Sequence, residues 1–360
     1  MKKHVIALLA LLVIFALNCD NSSTNPENNS YTGVIEGVDF DLLFAEPNQN
    51  EIENVLNEWE NREISVSAIT ILDTIVAVIG GRAHQIHIIV HKNSADLAHY
   101  GAVIMPSDTL AEYPVLFYNH GGDDGVDINQ FLTSLSFAPD MQAISRNHII
   151  AIPSYRSEKL VTDTTYQSTG DPSPWDKDVD DCMNFLTTID KNYPKADLNN
   201  VAVVGLSRGA GVAMLWAARD ERIKKVVEFF GPTDLLSRWT QEITYDALNG
   251  SLKELPGLDY LNDKIIQPLK TNTLSISMAR HELIKRSAVY FIDRIVPLQL
   301  HHGMNDQIVP VEQAEILIKA ASDMELSEDE FQYYLHENVG HDENTFLRGL
   351  DEMATFITTE

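Results

Sequence analysis

From Tyr113 onward, short apolar runs alternate with helix-length amphipathic segments. The runs at 115–118, 149–153, 201–205, 225–230, 297–301 and 331–335 read as buried strands. Between them, 178–189, 208–219 and 311–321 carry apolar residues at helical spacing. A closing segment, 343–357, places Phe346, Leu347, Leu350, Met353 and Ile357 on one face. Such alternation predicts a mainly parallel sheet with helices on both faces. Upstream, 67–79, 83–90 and 101–105 are β-rich and separated by turn residues at Gly80-Gly81 and Asn93-Ser94, which predicts antiparallel pairing. Ile52, Val55, Leu56 and Trp59 predict a leading helix packed on the body.

One interval breaks the rhythm. A simple crossover between strands needs about a dozen residues, and 234–289 is far longer. It holds Trp239, Leu252, Leu255, Leu258, Ile265 and Leu269, enough apolar residues to pack helices. We read it as a helical cap inserted over the carboxyl edge of the sheet, where ligands bind in open α/β sheets. No repeat is visible, so 36–360 reads as one domain.

The start of the chain has a different logic. Lys2 and Lys3 precede an apolar run from Val5 to Leu17, a basic n-region followed by a secretory h-region too short to span a bilayer. Ala16-Leu17-Asn18-Cys19 follows and leads into an Asn-rich polar stretch. This start resembles a bacterial lipoprotein signal, in which the Cys becomes the lipidated first residue of the mature chain. The resemblance implies a signal peptide over 1–18, lipidation at Cys19, a flexible tether over 19–35, and export. The membrane partner would then be met through the lipid anchor only, facing the periplasm or cell exterior. The other cysteine, Cys182, shares an apolar helix face with Val179, Met183, Leu186 and Ile189, so it reads as a buried, inert thiol. With Cys19 acylated, no disulfide framework remains.

Charge narrows the partners. The 360 residues carry 26 Lys+Arg against 53 Asp+Glu, a net charge of −27, in an otherwise globular composition. Such a surface repels phosphate backbones and anionic headgroups, which argues against nucleic acid and against electrostatic membrane binding.

The chemistry gathers in a few loops. Gly205-Leu206-Ser207-Arg208-Gly209 joins a buried strand to a helix, the context in which G-x-S-x-G exposes a nucleophilic hydroxyl at a sharp turn. A hydroxyl attacks only when a base takes its proton, so a His held by a carboxylate must reach it. With this elbow the acid and then the His follow the Ser in chain order. Asp306 lies in the loop after the 297–301 strand and His341 in the loop after 331–335. They are the expected acid and base, with Asp234 the runner-up acid. For the oxyanion, the N–H of Arg208 at the helix start and that of Gly122, in the turn His120-Gly121-Gly122, are the expected donors. His120 and His302 read as structural. His84, His87 and His91 share one β-like segment without a carboxylate or Cys to complete a metal motif, and no metal or cofactor is expected.

Together, the turn at His120, Tyr155-Arg156, the helix 178–186, the elbow at Ser207, the loop from His302 to Pro310 and Gly340-His341 resemble the α/β-hydrolase superfamily. More narrowly, they resemble the catalytic domain of prolyl-oligopeptidase-type serine peptidases and related single-domain esterases. The resemblance implies an α/β-hydrolase fold with a mostly parallel eight-stranded sheet, a helical cap, and a Ser207, Asp306, His341 triad. No repeats stand where such peptidases carry a propeller. The elbow and the ordered triad make cleavage of carboxylic esters through an acyl-enzyme the expected activity. Hydrolysis of short peptides, or binding without turnover, are the alternatives.

Overall fold

A computed structural model describes residues 31–253, 255–295 and 297–359. The expected signal peptide, Cys19 and most of the tether lie outside the described residues. The last tether positions belong to the fold. Residues 34–35 pair with 38–39, the Gly33 N–H donates to Asp41 at 3.0 Å, and the Tyr31 ring packs 5.1 Å from that of Tyr245.

The central sheet is built from β1 (Val66–Ile79), β2 (Arg82–Asn93), β3 (Ala98–Met105), β4 (Tyr113–Asn119), β5 (Ile149–Pro153), β6 (Ala196–Leu206), β7 (Lys225–Phe229), β8 (Leu298–Gly303) and β9 (Phe331–His336). Its order is β9-β8-β7-β6-β4-β5-β3-β2-β1, so the expected eight strands are corrected to nine. Antiparallel pairing joins β1 to β2, β2 to β3 and β3 to β5, and every other neighbour pair is parallel. The hairpin between β1 and β2 turns on Gly80 and Gly81, both at positive φ (55° and 78°), as a tight two-residue turn between twisted strands requires.

Helices α1 (Gln49–Glu60), α2 (Ile128–Phe137), α3 (Pro139–Asn147), α4 (Lys177–Asn192), α5 (Arg208–Arg219), α6 (Arg238–Leu248), α7 (Ile276–Ile284), α8 (Glu312–Asp323), α9 (Glu343–Arg348) and α10 (Leu350–Thr358) cover the sheet. One core layer joins α1, α4, α5 and α8 to the sheet, and the other joins α2, α3, α9 and α10. The leading helix α1 begins at a capping box in which Asn48 and Glu51 satisfy each other's backbone N–H groups. The closing helix is two helices. Gly349 separates them because a side chain there would fall 2.4 Å from the His301 ring.

The long insertion is helical, as its apolar spacing implies, yet it is less a separate lid than an extension of one core layer. Ile243, Leu258, Leu261, Ile265, Leu269 and Leu283 are continuous with the core that holds α1 and α5. Arg280 ties it to the N-terminal segment, donating to the carbonyls of Leu42, Leu43 and Ala45 at 3.0, 2.9 and 2.8 Å and to Glu51 at 2.6 Å. Strand order reverses around β4, whose chain successor β5 lies on one side while β6 lies on the other. The carboxyl ends of β4 and β6 therefore frame the crevice where such sheets hold ligands.

Candidate active site

Ser207 follows β6 at that crevice and adopts φ 54°, ψ −121°, a conformation rare for a residue with a side chain. Strain of this kind persists only where the surroundings enforce it. Two glycines do so here. A Cβ on Gly205 would lie 2.3 Å from the Gly209 carbonyl oxygen, and one on Gly209 would lie 2.1 Å from that of Asn119. The Ser207 N–H donates to the Phe229 carbonyl at 2.9 Å, fixing the turn to the neighbouring strand.

The two expected partners converge on this hydroxyl. His341 Nε2 lies 2.9 Å from Ser207 Oγ, and His341 Nδ1 lies 2.7 Å from Asp306 Oδ2. The other Asp306 oxygen, Oδ1, accepts the N–H groups of Ile308 and Val309 at 2.8 and 2.9 Å, so the carboxylate cannot swing. Because Asp306 Oδ2 can only accept, Nδ1 of His341 carries the hydrogen and Nε2 presents a lone pair to the serine. That is the tautomer able to take a proton from an attacking hydroxyl. The Phe230 ring packs 4.5 Å from the imidazole, and Phe230 itself sits at φ 45°.

Both expected oxyanion residues lie at the crevice. Arg208 opens α5, so its N–H has no intrahelical carbonyl to meet and lies at the positive end of the helix dipole. Gly121 packs on the elbow, its Cβ position 3.1 Å from Ser207 Cβ, whereas Gly122 at φ 75° faces open space. The sequence patterns did not anticipate what supports them. Arg208 is buried, and its guanidinium donates to the Gly122 carbonyl at 3.1 Å, to Asp178 at 2.7 and 3.1 Å, and to Glu158. No motif marks Glu158, which stands only close after Tyr155-Arg156, and the sequence marks Phe230 only as the end of the apolar run 225–230.

The competing residues lie elsewhere or do other work. Asp234 accepts from the Leu236 N–H at 2.7 Å and from Tyr290 at 3.0 Å, and burial pushes its carboxyl up to about 6. It meets no imidazole there. His302 donates from Nε2 to the Val309 carbonyl at 2.9 Å, bracing the Asp306 loop. His84 bonds the Ser145 carbonyl at 3.1 Å, His87 the Tyr193 hydroxyl at 2.8 Å, and His91 stacks on Phe185, so the three do not converge. Cys182 is buried in α4, and burial raises its thiol well above the ordinary range. Arg156 forks onto Asp181 at 2.6 and 3.0 Å inside the core.

The BD-FAE family profile matches residues 102–320, well over half of the chain. The chain belongs to the BD-FAE family, within the α/β-hydrolases. The family match runs from β3 through α8, so it includes Ser207 and Asp306 and stops before His341. No curated protein matches this BD-FAE chain by sequence. Among solved structures, it is similar to acetyl xylan esterase 1 from Thermoanaerobacterium sp. JW/SL YS485, at 15% identity and TM-score 0.55 over 92% of this chain and 96% of that one. An acetyl xylan esterase from Paenibacillus sp. R4 is similar at 14% identity and TM-score 0.56, over 87% of this chain and 98% of that one. A puromycin hydrolase S511A mutant complexed with PGG aligns at 17% identity and TM-score 0.53, over 80% of this chain but only 47% of its own. At these identities the likeness is one of fold.

Proposed function

We propose that this protein is an exported serine hydrolase that cleaves small carboxylic esters through an acyl-enzyme. The reading rests on one observation, the unbroken path from Ser207 Oγ through His341 to Asp306 at 2.9 and 2.7 Å. Ser207 Oγ attacks the ester carbonyl as its proton passes to His341 Nε2. The N–H groups of Arg208 and Gly122 stabilise the oxyanion. The alkoxide leaves with the proton from His341, and an acyl group remains on Ser207. Water then attacks that ester, again losing its proton to His341, and the acid is released with Ser207 restored. Asp306 holds the tautomer and stabilises the imidazolium.

Esters are favoured over peptides because the likeness to the two acetyl xylan esterases extends over nearly all of their length, whereas the likeness to puromycin hydrolase covers under half of it. The export signal and the lipid anchor at Cys19 belong to the same proposal and are supported by the N-terminal sequence pattern. Among the described residues, no helix is long and apolar enough to cross a membrane.

Fluorophosphonate labelling tests the mechanism. Wild type should label on Ser207 and turn over activated acetyl esters, and Ser207→Ala should do neither. A wild type that never labels would leave only the binding role. Turnover of aminoacyl amides but no esters would move the substrate to short peptides.

A further inference from the structure

Behind the Gly121-Gly122 turn lies a buried polar cluster whose protons can be placed. His120 Nδ1 is 3.0 Å from the Gly121 carbonyl oxygen. A carbonyl only accepts, so Nδ1 carries the hydrogen. Burial lowers the imidazole pKa to about 4, so the ring is neutral and Nε2 holds a bare lone pair. That lone pair faces Glu158 Oε2 at 3.4 Å, and neither atom has a hydrogen-bond partner among the described residues. Two acceptors so placed would both be buried without a donor, an arrangement that native structures avoid. A single proton on Glu158 Oε2 satisfies both.

The rest of the cluster agrees with that placement. Glu158 Oε1 accepts from Arg208 Nη1, which also donates to the Gly122 carbonyl at 3.1 Å. Asp178 takes the other side of the guanidinium at 2.7 and 3.1 Å and also accepts the Trp175 N–H at 3.2 Å. With Asp178 ionised and Glu158 neutral, one carboxylate balances one guanidinium. Tyr155 fills the space between, its ring 4.4 Å from that of His120 and 5.2 Å from the Arg208 guanidinium carbon.

We propose that Glu158 carries a proton donated to His120 Nε2 and, together with Arg208, acts as a positioning residue for the oxyanion donor of Gly122. In a trans peptide the C=O and N–H point to opposite sides. The His120 Nδ1–H held on the Gly121 carbonyl therefore turns the Gly122 N–H away from His120, and Arg208 pins the next peptide by its carbonyl. The protonated carboxyl selects the tautomer that makes the first of these contacts possible. Its consequence for turnover rests on the acyl-enzyme reading above; the proton placement itself does not.

The groups facing Glu158 are Arg208 from α5, Asp178 from α4, and His120 and Asp123 from the turn after β4. Burial raises the Glu158 carboxyl to about 8, with Asp178 and Asp123 acting in the same direction and Arg208 against it. Above that pH an ionised Glu158 draws the hydrogen of His120 onto Nε2. Nδ1 then turns a lone pair on the Gly121 carbonyl, and the peptide loses its anchor.

Two measurements on the intact protein test this. In kcat profiles for an activated acetyl ester, wild type should decline about tenfold as pH rises through about 8, with KM steady. Glu158→Gln offers a carboxamide N–H at every pH, so that alkaline limb should vanish. Arg208→Lys, which lacks the fork, should lower kcat about tenfold across the range. By 15N NMR of the histidines, wild-type His120 should be the Nδ1–H tautomer at pH 7 and exchange it above about 8, and Glu158→Gln should not switch. The same alkaline limb in Glu158→Gln, or an Nε2–H tautomer at pH 7, overturns the proposal. A wild type with the tautomer switch but no esterase turnover removes the acyl-enzyme reading and leaves the proton placement standing.

Discussion

Gly209 approaches Asn119 so closely that a methyl group on it would fall 2.1 Å from the Asn119 carbonyl oxygen and 2.6 Å from that of His120. The helix after Ser207 and the turn proposed to supply the second oxyanion donor are thus locked backbone to backbone. Gly209→Ala should lower both thermal stability and activity, because backbone cannot yield as a flexible side chain can. Gly122→Ala meets open space and only the strain of φ 75°, so its stability loss should be about 1 kcal/mol. Paired thermal melts decide it: equal losses in the two variants would refute the locking.

Asp306→Asn should leave the fold intact and cut kcat by about 10³–10⁴-fold. The asparagine oxygen can still accept the Ile308 and Val309 N–H groups, but its amide would donate to His341 Nδ1 and impose the wrong tautomer. Circular dichroism beside steady-state kinetics checks both halves.

Phe230 is bent into φ 45° and its ring lies on His341. Truncation to Leu removes the ring wall that limits imidazole rotation. We expect kcat to fall about tenfold with KM steady. A rise in KM alone would show that the ring serves binding instead.

Glu228 is fully buried beneath the elbow, with one oxygen accepting the Gly231 N–H at 2.9 Å and the other without a partner among the described residues. Burial raises its carboxyl to about 8. Between the ordinary carboxylate pKa and that value the folded state binds more protons than the unfolded chain, so its contribution declines as pH rises. Glu228→Gln should cancel this slope, with the variant gaining on wild type by an amount on the order of 4 kcal/mol between pH 5 and pH 9. Urea melts at several pH values measure it; parallel curves would place the proton elsewhere.

Arg280→Ala should cost about 2–3 kcal/mol, since it removes the donor shared by the buried Leu43 carbonyl, the partly buried Leu42 and Ala45 carbonyls and the half-buried Glu51 carboxylate. Limited proteolysis should then cut within 31–60 before the rest of the chain. Cleavage unchanged from wild type would mean that apolar packing alone holds the segment.

Much of this architecture could be read along the chain, because strands and helices follow local spacing of apolar residues. The run 149–153 matches β5 at both ends, and the elbow announces itself through two glycines and a serine in five residues. The order Ser207, Asp306, His341 was legible for the same reason: each stands just beyond an apolar strand. Contacts between distant segments were not. Whether 343–357 forms one helix or two depends on the His301 ring meeting Gly349, and the insertion joins a core layer because its apolar faces find α1 and α5. Ser207 and His341 are 134 positions apart and Glu158 lies 50 before Arg208. Neighbouring residues alone set where strand, turn and the Ser207 elbow fall; the proton proposed on Glu158 and the aim of the proposed oxyanion donors follow from burial and from partners that only the folded chain brings within reach.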